Sequence, residues 1–420
     1  MTTDLAPRIG FAYDLHGTGK EVVRGGYGIF YFPDYGGISN QLGQQTPFGG
    51  SVSYSAQNGY CITFTGQTPT VGAPYGCNVS AQQTTPLPLP GYPNFNPAAP
   101  PAGLSTLAVN RNDKNQQIQE WNLQLEQQLT PRDVLDIAYV GTKSDHLSTY
   151  YNYNLFRFGT GLQNFPKFGT ITYNNYNGTA NYNGLQLHYE HHQGNNLLIT
   201  ASYAWSHSLD NSPGAELGST APLYYDPQAD YGNSLQDQRH VFSSSILYHL
   251  PFGRGQRIGA GVSYPVNLLI GGWQVNILGF LATGTPIDLS VSGASNGDRP
   301  DLVGSISYPK SISGTWFNTA AFAAVPTITA NGQTVFTRLG TLGRDQVYGP
   351  GSRTADLSLQ KNIQLTQRYV LELHGDAFNV TNTPQFTNPD GGLHDSTFGK
   401  ITDTQLDSQR EIQLAARFTF

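Results

Sequence analysis

Apolar and polar residues alternate with a period of two in segment after segment of this chain. In residues 410–420, Ile412, Leu414, Ala416, Phe418 and Phe420 fall on one face of an extended strand. Glu411, Gln413, Ala415, Arg417 and Thr419 fall on the other, so one side is suited to an apolar surrounding and one to water. The same alternation places Ile9, Phe11 and Tyr13 together in residues 8–14, and Val23, Tyr27, Ile29 and Tyr31 together in residues 21–32. It recurs in residues 134–141, 182–192, 197–208, 239–250, 273–281, 355–363 and 369–380. Residues 116–129 are ambiguous. Their Gln, Glu and Leu content favours a helix, but Trp121, Leu123 and Leu125 alternate strictly with Glu120, Asn122, Gln124 and Glu126, and strand is the expected state. The total is eleven strands.

The connections between these strands are expected to alternate between short and long. Short ones follow Asp14, Leu129, His192, Leu250 and Ile363. Long ones follow Phe32, Gly141, Ser208, Leu281 and Val380, and include residues 33–115, 142–181 and 284–353. Loops segregated by length to the two ends of a sheet are the mark of an outer-membrane barrel, with tight periplasmic turns and large extracellular loops. The apolar strand faces picked out here carry no Lys, Arg, Asp or Glu, as a lipid-facing surface requires. The fold class expected is all-β, an antiparallel transmembrane β-barrel. Eleven strands cannot close with antiparallel pairing throughout, because the first and last run the same way; the expectation is therefore part of a larger barrel.

Composition supports this picture. Only 12% of the 420 residues are charged, whereas Gly (48), Tyr (25) and Phe (21) are abundant, a balance opposite to that of disordered chains. The net charge of −6 gives no basic field for nucleic acid, and no nucleic-acid partner is expected. The most apolar run, residues 266–281, holds Asn267, Gln274 and Asn276 and is shorter than the ~20 residues of a spanning helix. Residues 1–10, MTTDLAPRIG, lack the charged start and apolar run of a signal peptide, and none is expected.

Cys61 and Cys77 are the only cysteines, and both lie in the Gly/Pro/Gln/Thr-rich stretch 33–115. A local disulfide in an extracellular loop is the expectation; two unpaired thiols in a cytosolic loop are the alternative. Zinc needs more ligands than this pair supplies. On a strand, His188, Glu190 and His192 share a face, but residues two apart point in parallel, which fits a polar lumen wall better than a metal site. Asp226, Asp230 and Asp237 lie in one loop without the spacing of a known calcium loop. Residues 253–261, GRGQRIGAG, lack the Lys-Ser/Thr of a phosphate loop and read as a Gly-rich turn. No metal, cofactor or catalytic constellation is expected. The best ligand-contact candidates are the aromatic residues Tyr150, Tyr151, Tyr153, Phe156, Phe158, Tyr173 and Tyr176, which combine apolar area with hydrogen-bonding tips. Packing of loops on one another would use the same residues.

Several stretches resemble TonB-dependent outer-membrane receptors of the large Oar-like type. They are PRIGFAYDLHGTGKEVVRGGYGIFY (7–31), YVGTKSDHL (139–147), YNGLQLHYE followed by ASYAWSHSLDNS, and RHVFSSSILYHLPFG (239–253). GTPIDLS, LGRDQVYGPG (342–351) with DLSLQKN, ELHGDAFNVTNTPQFTNP and the terminal TFGKITDTQLDSQREIQLAARFTF complete the set. Relatives often carry Arg and Glu where this chain has His374 and Asp376, so a charge-pair role does not transfer there. The resemblance implies a barrel of about twenty-two strands, of which this chain would be the C-terminal half, without the plug. It implies residence in the outer membrane of a Gram-negative bacterium and uptake of an unidentified ligand rather than enzymatic activity. The partners implied are outer-membrane lipid, the barrel assembly machinery, and the TonB complex acting through a plug. Gln413, Ala415, Phe418 and Phe420 resemble the terminal assembly signal, with Ala415 in place of the usual Gly. A surface-adhesion protein of the same type, or an inactive truncated barrel, is the alternative.

Overall fold

The computed structural model describes residues 4–32, 42, 54–57, 61–64, 103–112, 114–194, 196–211, 223, 225–294, 299–366 and 368–420. Eleven strands form one continuous antiparallel sheet in chain order. They are β1 (Arg8–Asp14), β2 (Glu21–Phe32), β3 (Gln116–Thr130), β4 (Asp133–Asn152), β5 (Phe168–Gln193) and β6 (Leu197–Asp210). The sheet continues through β7 (His240–His249), β8 (Trp273–Ala282), β9 (Ser352–Gln364), β10 (Val370–Phe378) and β11 (Glu411–Thr419). β1 and β11 are the two edges and run in the same direction.

The register carries the apolar face unbroken across the sheet. Directly paired residues in an antiparallel ladder point to the same side. Tyr27 of β2 pairs with Ile9 and Trp121, and Leu123 pairs with Tyr139. Leu187 then joins Ile137 to Tyr203, Ile277 joins Ile246 to Leu357, and Leu371 pairs with Phe418. The ambiguous 116–129 segment is strand β3 because only the strand period puts Trp121 and Leu123 on this common face. Gly141 completes one contact here: a Cβ on it would meet the Trp121 ring at 2.3 Å, so the glycine makes room for the indole.

Charges share this face toward the strand ends, contrary to the expectation that it holds none: the register places Glu21, Asp133, Lys143 and Asp145 on it as well as Lys361 and Arg353. Lys361 pairs with Trp273 and Arg353 with Leu281, each at an end of the β8–β9 ladder. Lys361 Nζ donates to Gly271 O (2.5 Å) and sits 4.7 Å from the Trp273 ring centroid, so the ammonium is satisfied at the rim. Reading residues 355–363 one position at a time would have exposed Lys361.

The connections obey the expected segregation less strictly than their lengths promised. At one rim β3 and β4 are joined by Pro131–Arg132 and bracketed by a Thr130–Asp133 hydrogen bond. At the same rim, however, residues 250–272 include a short helix, α1 (Tyr264–Ile270), ending at Gly272 in the left-handed region (φ +71°). The apolar run 266–281 is thus divided between α1 and β8. At the opposite rim, most of the supposed loop 142–181 is strand. β4 extends to Asn152 and β5 starts at Phe168, leaving only 153–167 as the connection. Polar tyrosine- and asparagine-rich sequence lacks the apolar alternation used to find strands, yet it pairs well outside the lipid. Within residues 33–115, Tyr54–Gln57 pairs with Cys61–Phe64, and Leu104–Val109 runs parallel to β5.

The buried core lies off the sheet, among the long connections. Phe317, Val347, Ile287, Leu289, Phe322 and Leu342 form one cluster. Phe317 meets Phe322 and Phe398 edge-on at 5.6 and 5.4 Å between ring centroids. This joins the β8–β9 connection (283–351) to the β10–β11 connection (379–410) as a folded layer above the sheet. Both stretches were expected to be plain loops.

Substituting the lipid-facing Ile277 with Arg is expected to cost about 2–4 kcal/mol if it sits near the midplane, whereas Gln186→Arg on the polar face should be nearly neutral. Urea titration of both variants in lipid vesicles measures the difference; equal costs would mean the two faces are wrongly assigned.

Candidate functional site

The polar face of the sheet and the folded layer at the long-loop rim together make the surface on which a ligand could be handled. On the polar face, Arg24 pairs with Glu126, and Glu372 lies between His374 (3.9 Å) and Arg417 (4.0 Å). His188, Glu190 and His192 do stand in a row on β5, with Glu190 contacting both histidines. His191 points to the opposite face and contacts Asp133 at 2.7 Å. Among the described residues, no group of three His, Cys, Asp or Glu is arranged to hold a metal ion.

The loop aspartates meet arginines. Asp230 ends a 3-10 turn, Pro227–Asp230, that begins after Asp226. Arg299 donates to Asp230 Oδ1 (2.9 Å) and Ala229 O (2.8 Å). Arg344 donates to Asp210 Oδ1 (2.6 Å) and O (2.8 Å), and its Nε lies 3.1 Å from Asp345 Oδ2 without hydrogen-bond geometry. Asp237 accepts from Ser208 N (2.7 Å) and Tyr348 OH (2.8 Å) and pairs with Arg239 (3.0 Å). These contacts tie the β6–β7 connection to the β8–β9 connection and both to the end of β6. Arg344, Asp345 and Tyr348 all lie in LGRDQVYGPG, whose order was noted in the sequence but whose ion-pairing role was not. Arg299 was missed entirely, since nothing local marks it.

Burial dominates the electrostatics of this layer. It pushes the Asp345 carboxyl from an ordinary 3.8 up to about 7, opposed by the Arg344 guanidinium and reinforced by Asp288 and Asp210. Burial also raises Asp288, and it raises Tyr348 to about 12. Asp301 goes the other way: Arg338 donates two hydrogen bonds to it (2.6 and 2.8 Å) and holds it below the usual range.

The seven aromatic candidates cluster where β4 and β5 project beyond the apolar zone. Tyr151 and Tyr176 are buried; the Tyr151 hydroxyl donates to Asn177 Oδ1 (2.9 Å). Tyr150, Tyr153, Phe156, Phe158 and Tyr173 are half-buried. Tyr153 stacks obliquely on Tyr173 (5.3 Å) and Phe165 (6.2 Å), while Phe158 packs against the Val291–Val325–Phe336 cluster of the neighbouring connection. Asn154, fully enclosed, donates to the carbonyls of Phe165, Phe168 and Gly169 and fixes the tip. The most exposed apolar side chains there are Leu162 and Phe165, which the sequence did not single out.

Cys77 lies outside the described residues and Cys61 is described only in its backbone, so the disulfide expectation falls outside the described structure. In the terminal segment Gln413 and Ala415 lie on the polar face, paired with Asp376 and His374; Phe418 lies on the apolar face and stacks on Tyr369 and Phe420. Residues 253–261 form a closed turn in which Gly253 N donates to Ile258 O (2.9 Å) and Arg254 N to Asn267 Oδ1 (2.6 Å).

The family described as outer membrane beta barrel domain matches residues 1–413. Comparison with curated proteins finds no match. Among solved structures, the chain is similar to the outer membrane transporter YddB from Escherichia coli (12% identity, TM-score 0.49), covering 99% of this chain and 40% of that one. It is similar also to the FrpB iron transporter from Neisseria meningitidis (9%, 0.46, covering 100% and 39%). A third is the siderophore receptor PiuA from Acinetobacter baumannii (9%, 0.43, covering 98% and 35%). The chain thus spans about two fifths or less of the length of these structures.

Because the folded layer holds a proton on Asp345 that the unfolded chain releases, Asp345 contributes stability below about pH 4 that is lost as pH rises to about 7. Asp345→Asn should remove that part of the decline, seen by comparing thermal midpoints in detergent between pH 4.5 and 7.5; an unchanged decline would show that Asp345 ionises normally. Arg299→Ala removes the arginine facing buried Asp230 and should cost roughly 3–5 kcal/mol, detected as faster proteolysis of the 211–239 connection.

Proposed function

The chain belongs to the outer membrane beta barrel domain family, and from that premise we propose that it is the barrel part of a TonB-dependent receptor of the Oar-like type that imports a ligand too large or scarce for porins. The observation that carries this reading is the folded layer at the long-loop rim of a sheet with one apolar and one polar face. A simple pore needs only short or mobile loops. Here the 283–351 and 379–410 connections share a phenylalanine core, and buried Arg–Asp contacts lock the first of them to the end of β6 and to the β6–β7 connection. A rigid layer of this kind can present binding groups at fixed positions, which lowers the ordering cost of capture.

The segments that resemble TonB-dependent receptors add support because they occur in the expected order along nearly all the strands. In this reading the half-buried aromatic residues Tyr150, Tyr153, Phe156, Phe158 and Tyr173, with Leu162 and Phe165, contact ligand at the outer surface. The polar face, with Arg24, Glu126, His188 and Glu190, lines the passage. Transport energy comes from the TonB complex through a plug domain. Cys61 and Cys77 staple the 33–115 loop, and the terminal Gln413, Ala415, Phe418 and Phe420 are read by the assembly machinery.

The test is the product of the complete gene. It is expected to carry an N-terminal plug and a TonB-binding segment in frame, and to be captured in crosslinking by the periplasmic domain of TonB. A complete product with neither segment, or with no capture, would overturn the transport reading.

A further inference from the structure

A crevice of about 650 Å³ opens on the outer, apolar side of the sheet at the long-loop rim. Its floor is made by Tyr203 of β6, Phe242 of β7 and Leu281 of β8, which the ladders place side by side on the lipid-facing surface. Its upper wall comes from the folded layer, with Ile312, Trp316 and Phe386. Trp316 is fixed by its indole N–H, which donates to Tyr348 O (2.9 Å), so this wall belongs to the rigid layer. The volume lies within the ~300–1,000 Å³ range of small-molecule sites.

The charge around the crevice is one-sided. Lys310 and Arg353 line it, and no described Asp or Glu does. That is notable in a chain whose acidic residues outnumber its basic ones, 28 to 22. Lys310 and Arg353 are exposed and make no ion pair with a described residue. Three arginines of the neighbouring layer, Arg299, Arg338 and Arg344, are each paired with an aspartate. His240 is held at its Nδ1 by the Tyr203 hydroxyl (2.8 Å) and stacks on that ring. Arg353 is anchored through its backbone, which exchanges hydrogen bonds with Gln385 (2.9 and 2.7 Å).

An apolar floor continuous with the apolar face of the sheet, bordered at the end of the β8–β9 ladder by cations without an ion-pair partner among the described residues, matches one kind of ligand. We propose that this crevice binds a phosphorylated, multiply acylated lipid of the outer leaflet, with acyl chains against Tyr203, Phe242 and Leu281 and a headgroup phosphate between Lys310 and Arg353. Guanidinium and ammonium groups both suit phosphate, the first by paired hydrogen bonds and the second as a point charge. Bound there, the lipid bridges the sheet to the folded layer and fills a gap that would otherwise stay solvated beside the membrane. The site does not depend on the transport reading, since any outer-membrane barrel meets such lipids.

The experiment uses the full chain extracted from outer membranes and titrated in detergent by native mass spectrometry. The probes are a diphosphorylated, six-chain acylated glucosamine disaccharide, the same lipid without its phosphates, and inorganic phosphate. The phosphorylated lipid should bind at least about tenfold more tightly than its phosphate-free form, and Lys310→Gln with Arg353→Gln should abolish that preference. Lys310→Arg with Arg353→Lys should keep it within about twofold, which separates charge from fold damage. Heat-modifiable migration checks that each variant is folded. Equal binding of the two lipids, an unchanged preference in the Gln variant, or displacement of the lipid by inorganic phosphate at comparable concentration would each overturn the proposal.

Discussion

The structure depends on one requirement: in lipid every backbone N–H and C=O must find its partner within the protein. Ten antiparallel ladders meet it between β1 and β11, and each ladder also decides which side chains meet lipid. A slip of one residue in any of them would exchange the two faces of every strand beyond it. The run from Ile9 through Tyr27, Trp121, Ile137, Leu187, Tyr203, Ile246, Ile277, Leu357 and Phe418 keeps one register across the sheet, and the register shifts at Gln128/Thr130 and between Asp145 and Thr149 lie toward the strand ends. Exceptions sit at the margins, where Lys361 reaches a backbone carbonyl and Arg353 reaches the rim.

Outside the lipid the constraint changes. Water can satisfy loose backbone, so the long connections are free to fold for their own reasons. Residues 283–351 and 379–410 use that freedom to build a small aromatic core that the sheet itself, polar on one side and lipid-facing on the other, lacks. Burial of that core takes Arg299, Arg344, Asp230 and Asp210 out of water with it, and their pairing, Arg299 with Asp230 and Arg344 with Asp210, offsets the desolvation. The layer is tied to the sheet at the end of β6, where Asp210 and Ser208 accept and donate to Arg344 and Asp237. The aromatic tip of β4 and β5, through Phe158, and the apolar-side crevice, through Trp316, therefore both rest on this layer.

The protein thus reads as a membrane wall carrying an ordered outer platform. It lies in the outer membrane of a Gram-negative bacterium, as its family and the division of its two faces require. The crevice opens at the long-loop rim, where the apolar floor of the sheet meets Lys310 and Arg353.

The sequence by itself determined the eleven strands of the main antiparallel path, because a half-buried strand must alternate and this chain alternates eleven times, but not the short strands within the connections. It also determined the lipid-facing sets and, through turns such as Pro131–Arg132, the chain-order pairing. It could not mark the ends of β4 and β5, since Asn- and Tyr-rich strands outside lipid have no apolar side to display. Nor could it find the folded layer. Phe317 and Phe398, or Arg299 and Asp230, are far apart in the chain, and only the ladders between them fix how their connections meet. Local pattern decides what each segment is, whereas the meeting of distant loops, and with it the site, is decided by the tertiary structure alone.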